Sequence, residues 1–144
     1  MLTHISELVT QSGYETLATL EARADYLTHF LLLRRTAIAR AGWVDETIGD
    51  SPGVDDFHLL WSMLETGATV ALPGRSVYRY RDHDGERLTL RDAEASVATL
   101  RHIYEKHGIT GADRDARVDP RRRWLGRTIN AAAADGPFPP RGHT

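Results

Sequence analysis

The chain has 144 residues, 41% of them hydrophobic and 26% charged, with a formal net charge of −2 and no cysteine. That composition describes a single globular domain of ordinary size and excludes a disordered polymer, a disulfide scaffold, a thiolate metal centre and a cysteine nucleophile. The charge offers no general attraction to nucleic acid or anionic lipid, the longest apolar run (30–33) is far below the roughly 20 residues of a membrane span, and no secretory pattern opens the chain, so a cytoplasmic protein is expected.

In chain order, Leu2, Ile5, Leu8 and Val9 recur at helical spacing up to the break at Gly13, and the mixed run that follows, to Arg23, fits neither period. Residues 26–33 are apolar enough for a buried strand. Thr36 to Arg40 fits a short helix closed by Gly42, a glycine able to take positive φ at a helix end. The Asp50-Ser-Pro-Gly53 turn leads into Phe57, Leu60, Trp61 and Leu64, an i, i+3, i+4, i+7 stripe that Gly67 should end. Residues 68–72 and 76–81, around Pro73-Gly74, are expected as two strands. Thr89 and Asp92 match a capping box before Ala93, Val97, Leu100, Tyr104 and His107, a helical stripe running to Gly108. Asp119-Pro120 fits an N-cap with proline at the first helical position, opening a last helix to about Ala134. A proline-rich tail, 136–144, follows.

Acids and one histidine concentrate between Arg34 and Thr89. Asp45-Glu46 follow a glycine turn, Asp55-Asp56 open a helix, and Arg81-Asp82-His83 end a strand-like run. A carboxylate at a helix N-terminus is oriented by free backbone N–H groups and by the dipole, a suitable arrangement for a general base. Adjacent aspartates divide between capping and projecting into a cleft, and spacing alone does not say which does which. Acidic pairs before helices are most often caps, and a single imidazole needs convergent partners before it ligates a metal.

Taken together, Arg34-Arg35, Ala41-Gly42-Trp43-Val44-Asp45-Glu46, Asp55-Asp56-Phe57-His58-Leu59, Glu65-Thr66-Gly67 and Tyr80-Arg81-Asp82-His83 resemble the C-terminal half of family 2 glycosyltransferases of the GT-A fold, over roughly residues 31–108. The resemblance implies an α/β, partial GT-A-like fold, with a few short strands, roughly three to five helices and a helical C-terminus. It divides the chain into an acceptor and base portion (1–110), a helical extension (111–135) and the tail.

It further implies sugar transfer from a nucleotide-diphosphate donor to a glycan or other hydroxyl acceptor, with inversion. Asp56 would be the base and Asp55 its neighbour, while Gly42, Trp43, Asp45 and Glu46 would line the acceptor cleft. Arg81 would meet the donor diphosphate, and His83 would help to bind its Mg or Mn ion. Ala41 replaces the first glycine of the family's usual pair.

The family's nucleotide-binding half, with its Asp-x-Asp, has no counterpart before Arg34, and Asp113-x-Asp115 reads as a loop after a helix. The expectation is therefore a truncated or split transferase that needs an N-terminal half and associates with a second chain or itself through an exposed sheet edge. Two further readings are a noncatalytic interaction or regulatory module, with Arg114, Arg117, Arg121, Arg122, Arg123 and Arg127 as its partner face, and a small metal-dependent hydrolase using Asp55, Asp56 and His83. The arginines alternate with acids, a pattern more typical of a solvated helix face than of a nucleic-acid site.

Overall fold

The computed structural model describes residues 14–27, 31–48, 54–72 and 93–134. Five α-helices occupy them: α1 (Leu20–Tyr26), α2 (Arg35–Arg40), α3 (Asp55–Glu65), α4 (Ala93–Lys106) and α5 (Gly111–Ala134), with a 3-10 turn at Glu46–Ile48. They belong to two compact units, one built from the chain up to Thr47 together with 53–83, the other from 48–52 together with 84–144.

In the first unit, α1 starts where Thr19 stands in extended conformation and its Oγ1 accepts a hydrogen bond of 3.1 Å from the Ala22 N–H, a side-chain N-cap. Arg23 donates from Nε to the Leu17 carbonyl at 3.0 Å, and its guanidinium lies 5.5 Å from the centre of the Tyr14 ring. Tyr14 in turn packs against Tyr26, with ring centroids 6.2 Å apart. Burial raises the Tyr14 phenol above the ordinary tyrosine value, and the nearby Arg23 charge opposes that rise.

Both α1 and α2 pack on α3. The face that α3 buries carries Phe57, Leu60, Trp61, Met63 and Leu64, and the Phe57 and Trp61 rings are tilted at 54° with centroids 5.4 Å apart. Each such side chain withdrawn from water contributes about 1.5–3 kcal/mol. Ala24 and Leu27 from α1 and Ala37 from α2 are also buried.

The second unit is an α4–α5 pair joined by residues 107–110. Val97, Leu100, Ile103 and Tyr104 of α4 are buried, and both Ile103 and Val118 of α5 are 0% exposed. Arg114 pairs with Glu105 across the two helices and with Asp115 at 3.0 Å, while Arg101 reaches Asp115 at 3.3 Å. The Arg101 Nε is buried without a hydrogen-bond partner among the described residues.

Three helices end in the same way. Gly42, Gly67 and Gly108 have φ of 91°, 80° and 78°. After α2 the Gly42 and Trp43 N–H groups return to the carbonyls of Ala39 and Ile38; Gly67 and Ala68 do so to Leu64 and Met63, and Gly108 and Ile109 to Glu105 and Tyr104. This is the Schellman pattern, in which a left-handed residue lets two N–H groups satisfy orphan carbonyls of the last turn. The three glycine stops expected from the sequence are thus where the helices end.

The α/β, GT-A-like expectation is overturned, because the described residues contain no strand and no sheet. Tyr26 is the last residue of α1, not the start of a buried strand, and the Leu27 N–H caps back to the Ala24 carbonyl at 3.3 Å. The Thr19 cap and the buried Ala24–Leu27 pair hold this segment helical, whereas a strand would need a neighbour for its backbone groups. Residues 68–72 follow the α3 stop without regular structure. Their expected partner run, 76–81, lies outside the described residues, as do the first thirteen residues, the Thr89–Asp92 capping box and the tail.

The last helix is also corrected. It begins at Gly111, and Pro120 sits inside it. A proline there forgoes one backbone bond at a cost of about 3 kcal/mol, but an earlier start lets Val118 bury fully and places Asp113 and Arg117 as an i, i+4 pair at 3.3 Å. Asp113 and Asp115 consequently lie in the opening turns of a helix, not in a loop.

Candidate functional site

The acids singled out from the sequence fall on two neighbouring pieces of the first unit, the turn after α2 and the start of α3. Asp55 and Asp56 are the first two helical residues of α3, following Val54, which has no side-chain cap. Asp55 is exposed. Asp56 is half-buried, and its Oδ1 accepts the Phe57 N–H at 2.8 Å, so this carboxylate satisfies one of the helix's orphan donors and has a fixed direction. Asp56 thus holds a backbone bond through one oxygen, and Asp55 is the more exposed of the two.

The turn after α2 has unusual backbone. Gly42 is left-handed, and Trp43 follows it at φ 68°. For a bulky L-residue this conformation costs about 1–2 kcal/mol. Two contacts accompany it: the Trp43 N–H bond to the Ile38 carbonyl at 3.0 Å, and the Arg35 guanidinium 5.8 Å from the ring centre. The indole is nevertheless 51% exposed, and the next residue, Val44, is 56% exposed. A large apolar ring held at the surface in a costly backbone state is a feature of binding surfaces more than of cores.

Asp45 organises the rest of the turn. Its Oδ1 accepts both the Thr47 N–H at 2.9 Å and the Thr47 hydroxyl at 2.6 Å, a local Asx-type closure. Its Oδ2 lies 3.4 Å from Nε2 of His58, on the second turn of α3. Glu46 is exposed beside it.

The structure thus brings Asp45 of the proposed acceptor turn against the helix that begins with Asp55 and Asp56. Arg81 and His83 lie outside the described residues. Among the described residues no group of three His, Asp or Glu side chains is placed to hold a metal ion, and no helix is long and apolar enough to cross a membrane.

His58 is the residue that sequence reasoning passed over. It sits on the edge of the α3 apolar stripe, beside Phe57 and Leu60, and it is 7% exposed. A polar residue at the margin of a buried stripe signals a need for a partner. Nothing in the spacing points to Asp45 as that partner.

The arginine-rich stretch on α5 carries several ion pairs within its own unit. Arg114, Arg117 and Arg122 engage Asp115, Asp113 and Asp119 of their own helix, and Arg114 also engages Glu105. Arg123 is exposed, and the side chains of Arg121 and Arg127 are outside the described set.

Comparison of the chain with protein families, curated proteins and solved structures finds no match.

Proposed function

We propose that this chain contributes the acceptor-binding and base-bearing part of a family 2-like glycosyltransferase, and that a nucleotide-sugar-binding half from outside these 144 residues completes the reaction. The observation that supports this reading is the Asp45–His58 contact of 3.4 Å, by which the Gly42–Glu46 turn and the Asp55-Asp56 helix start lie together in one unit. On this reading Trp43 offers an exposed aromatic face to a sugar ring. Asp56, its Oδ1 anchored to the Phe57 N–H, takes the acceptor hydroxyl proton on its other oxygen as the new bond forms at the anomeric carbon and the bond to the nucleoside diphosphate breaks. Asp55 adds negative charge at the cleft mouth.

Mg or Mn is part of the proposal by resemblance alone. The described residues do not form a site that fits such an ion, so no step is assigned to one. Donor, acceptor, any second chain and a cytoplasmic location are likewise proposed, and a chain free of cysteine is compatible with the last.

The test supplies a nucleotide-binding half carrying Asp-x-Asp, together with sugar nucleotide, Mn and a hydroxyl acceptor. Transfer should appear only when both halves are present, and Asp56→Asn should lower it by about 10²–10⁴-fold with the helical signal unchanged. No transfer with any half tried, alongside partner binding that survives Asp56→Asn and His83→Ala, would establish the noncatalytic module instead. Metal uptake in the absence of nucleotide would favour the hydrolase.

A further inference from the structure

We infer that His58 is a positioning residue, a latch on α3 that fixes the Trp43–Thr47 turn against that helix through Asp45. The inference rests on the reading of that turn as the acceptor wall and of α3 as the base helix.

The Thr47 bonds to Asp45 Oδ1 are local, spanning two residues. They shape the turn but give it no attachment to anything outside itself. A contact with α3 comes from the other oxygen, which faces an imidazole thirteen residues further along the chain. His58 suits that duty for three reasons. Its own position is set by burial on a helix whose neighbouring residues, Phe57, Leu60 and Trp61, are also buried. Asp45 is accessible over only 22% of its side chain, so the pair is partly shielded from water, where such contacts are stronger than at an open surface. The atom that meets the carboxylate is Nε2, so the contact is an ion pair whenever the imidazole is protonated.

A leucine or phenylalanine at this place would fill the same space and remove this contact from the turn. Asp45 is two residues from Trp43, so a latch here adds a restraint on where the indole can go to the one that α2 already supplies.

The experiment reads the Thr47 amide, whose proton is bonded to Asp45 Oδ1, by hydrogen exchange in the full chain. His58→Phe should speed its exchange about tenfold while the α3 amides keep theirs, and His58→Gln, which retains a donor near the Nε2 position, should return it to within about threefold of the parent. An unchanged Thr47 rate in His58→Phe, or a Gln variant as fast as the Phe variant, would overturn the latch.

Should His58→Phe fail to fold, the ring nitrogens of the parent chain decide the matter by nitrogen NMR. A protonated Nε2 at neutral pH whose resonance moves in Asp45→Asn supports the contact, and an unprotonated Nε2 refutes it. With the nucleotide-binding half added, His58→Phe should raise the acceptor KM about tenfold and leave kcat nearly unchanged. Altered Thr47 exchange without any transfer would reject the transferase reading and leave the latch standing.

Discussion

The two units use polar side chains in opposite ways. In the α4–α5 pair the charges are turned on one another, with Arg101, Arg114, Glu105 and Asp115 linked around a core in which Ile103 and Val118 are wholly buried. In the unit built on α3, the polar groups instead shape one surface: Asp45 is shared between Thr47 and His58, Asp56 is tied to a helix start, and Trp43 stands out of a left-handed turn. The first arrangement ties the two helices of one unit together. The second keeps an exposed aromatic in a costly backbone state, which stability alone does not favour, and the proposed acceptor role uses that surface.

The largest test of this contrast is Ile103→Ala. Loss of a fully buried side chain should destabilise the α4–α5 pair by about 2–5 kcal/mol in denaturant unfolding. If the units are independent, amide exchange on α1 and α3 should stay at the parent rate; acceleration in both would show that they unfold as one.

Next in size is the backbone of Trp43. In an Arg35→Ala background, which removes the stacked guanidinium, Trp43→Gly should raise stability by about 1 kcal/mol, read from the thermal midpoint, because the left-handed state is free for glycine. A loss of stability would mean that the indole is a structural element, and the contrast between the units would weaken. Thr19→Ala should cost about 1 kcal/mol, the usual value of a side-chain N-cap, and should fray α1 while leaving α2 unchanged.

Arg117→Ala should change stability by less than about 0.5 kcal/mol, since its partner Asp113 is largely exposed and water screens the pair. The smallest effect is in alkali. The raised Tyr14 phenol means that the folded state keeps this proton longer than the unfolded chain does. Its contribution to stability is therefore complete below the ordinary tyrosine value of about 10 and is lost as pH rises through the folded value. The difference in phenolate absorbance between the folded chain and a Tyr14→Phe variant should appear above the ordinary tyrosine range.

The elements read correctly from the sequence are those whose stop signals are local. Gly42, Gly67 and Gly108 each end a helix because a left-handed residue is needed one place past the cap, and only the neighbouring turn decides that need. The apolar stripes of α3 and α4 were legible for a similar reason, since one helix face carries the whole pattern.

Where the reading failed, two signals competed. Tyr26 belongs to an apolar run that fits a strand, but it also follows the Thr19 cap and the Ala24 contact, and packing on α3 favours the helix. Asp119-Pro120 has the local chemistry of a helix start, and the long-range burial of Val118 outweighs it. Of the candidate site, the helix position of Asp55 and Asp56 was readable from the turn before them. The Asp45–His58 pairing was not, because it joins two segments across an intervening loop and no periodicity relates them.

The Schellman stop after α2 also makes this stretch sensitive to length. Because the Trp43 N–H is returned to the Ile38 carbonyl, the indole's bearing is counted from α2, one helical residue at a time. Adding or removing one residue within Arg35–Arg40 would swing the ring by about 100° around the helix axis, and would carry Asp45 with it, away from His58. Substitutions on the outer side of α2 should be absorbed easily, whereas single insertions and deletions there should not. For this short helix the number of residues bears on the site more than the identity of those on its outer side.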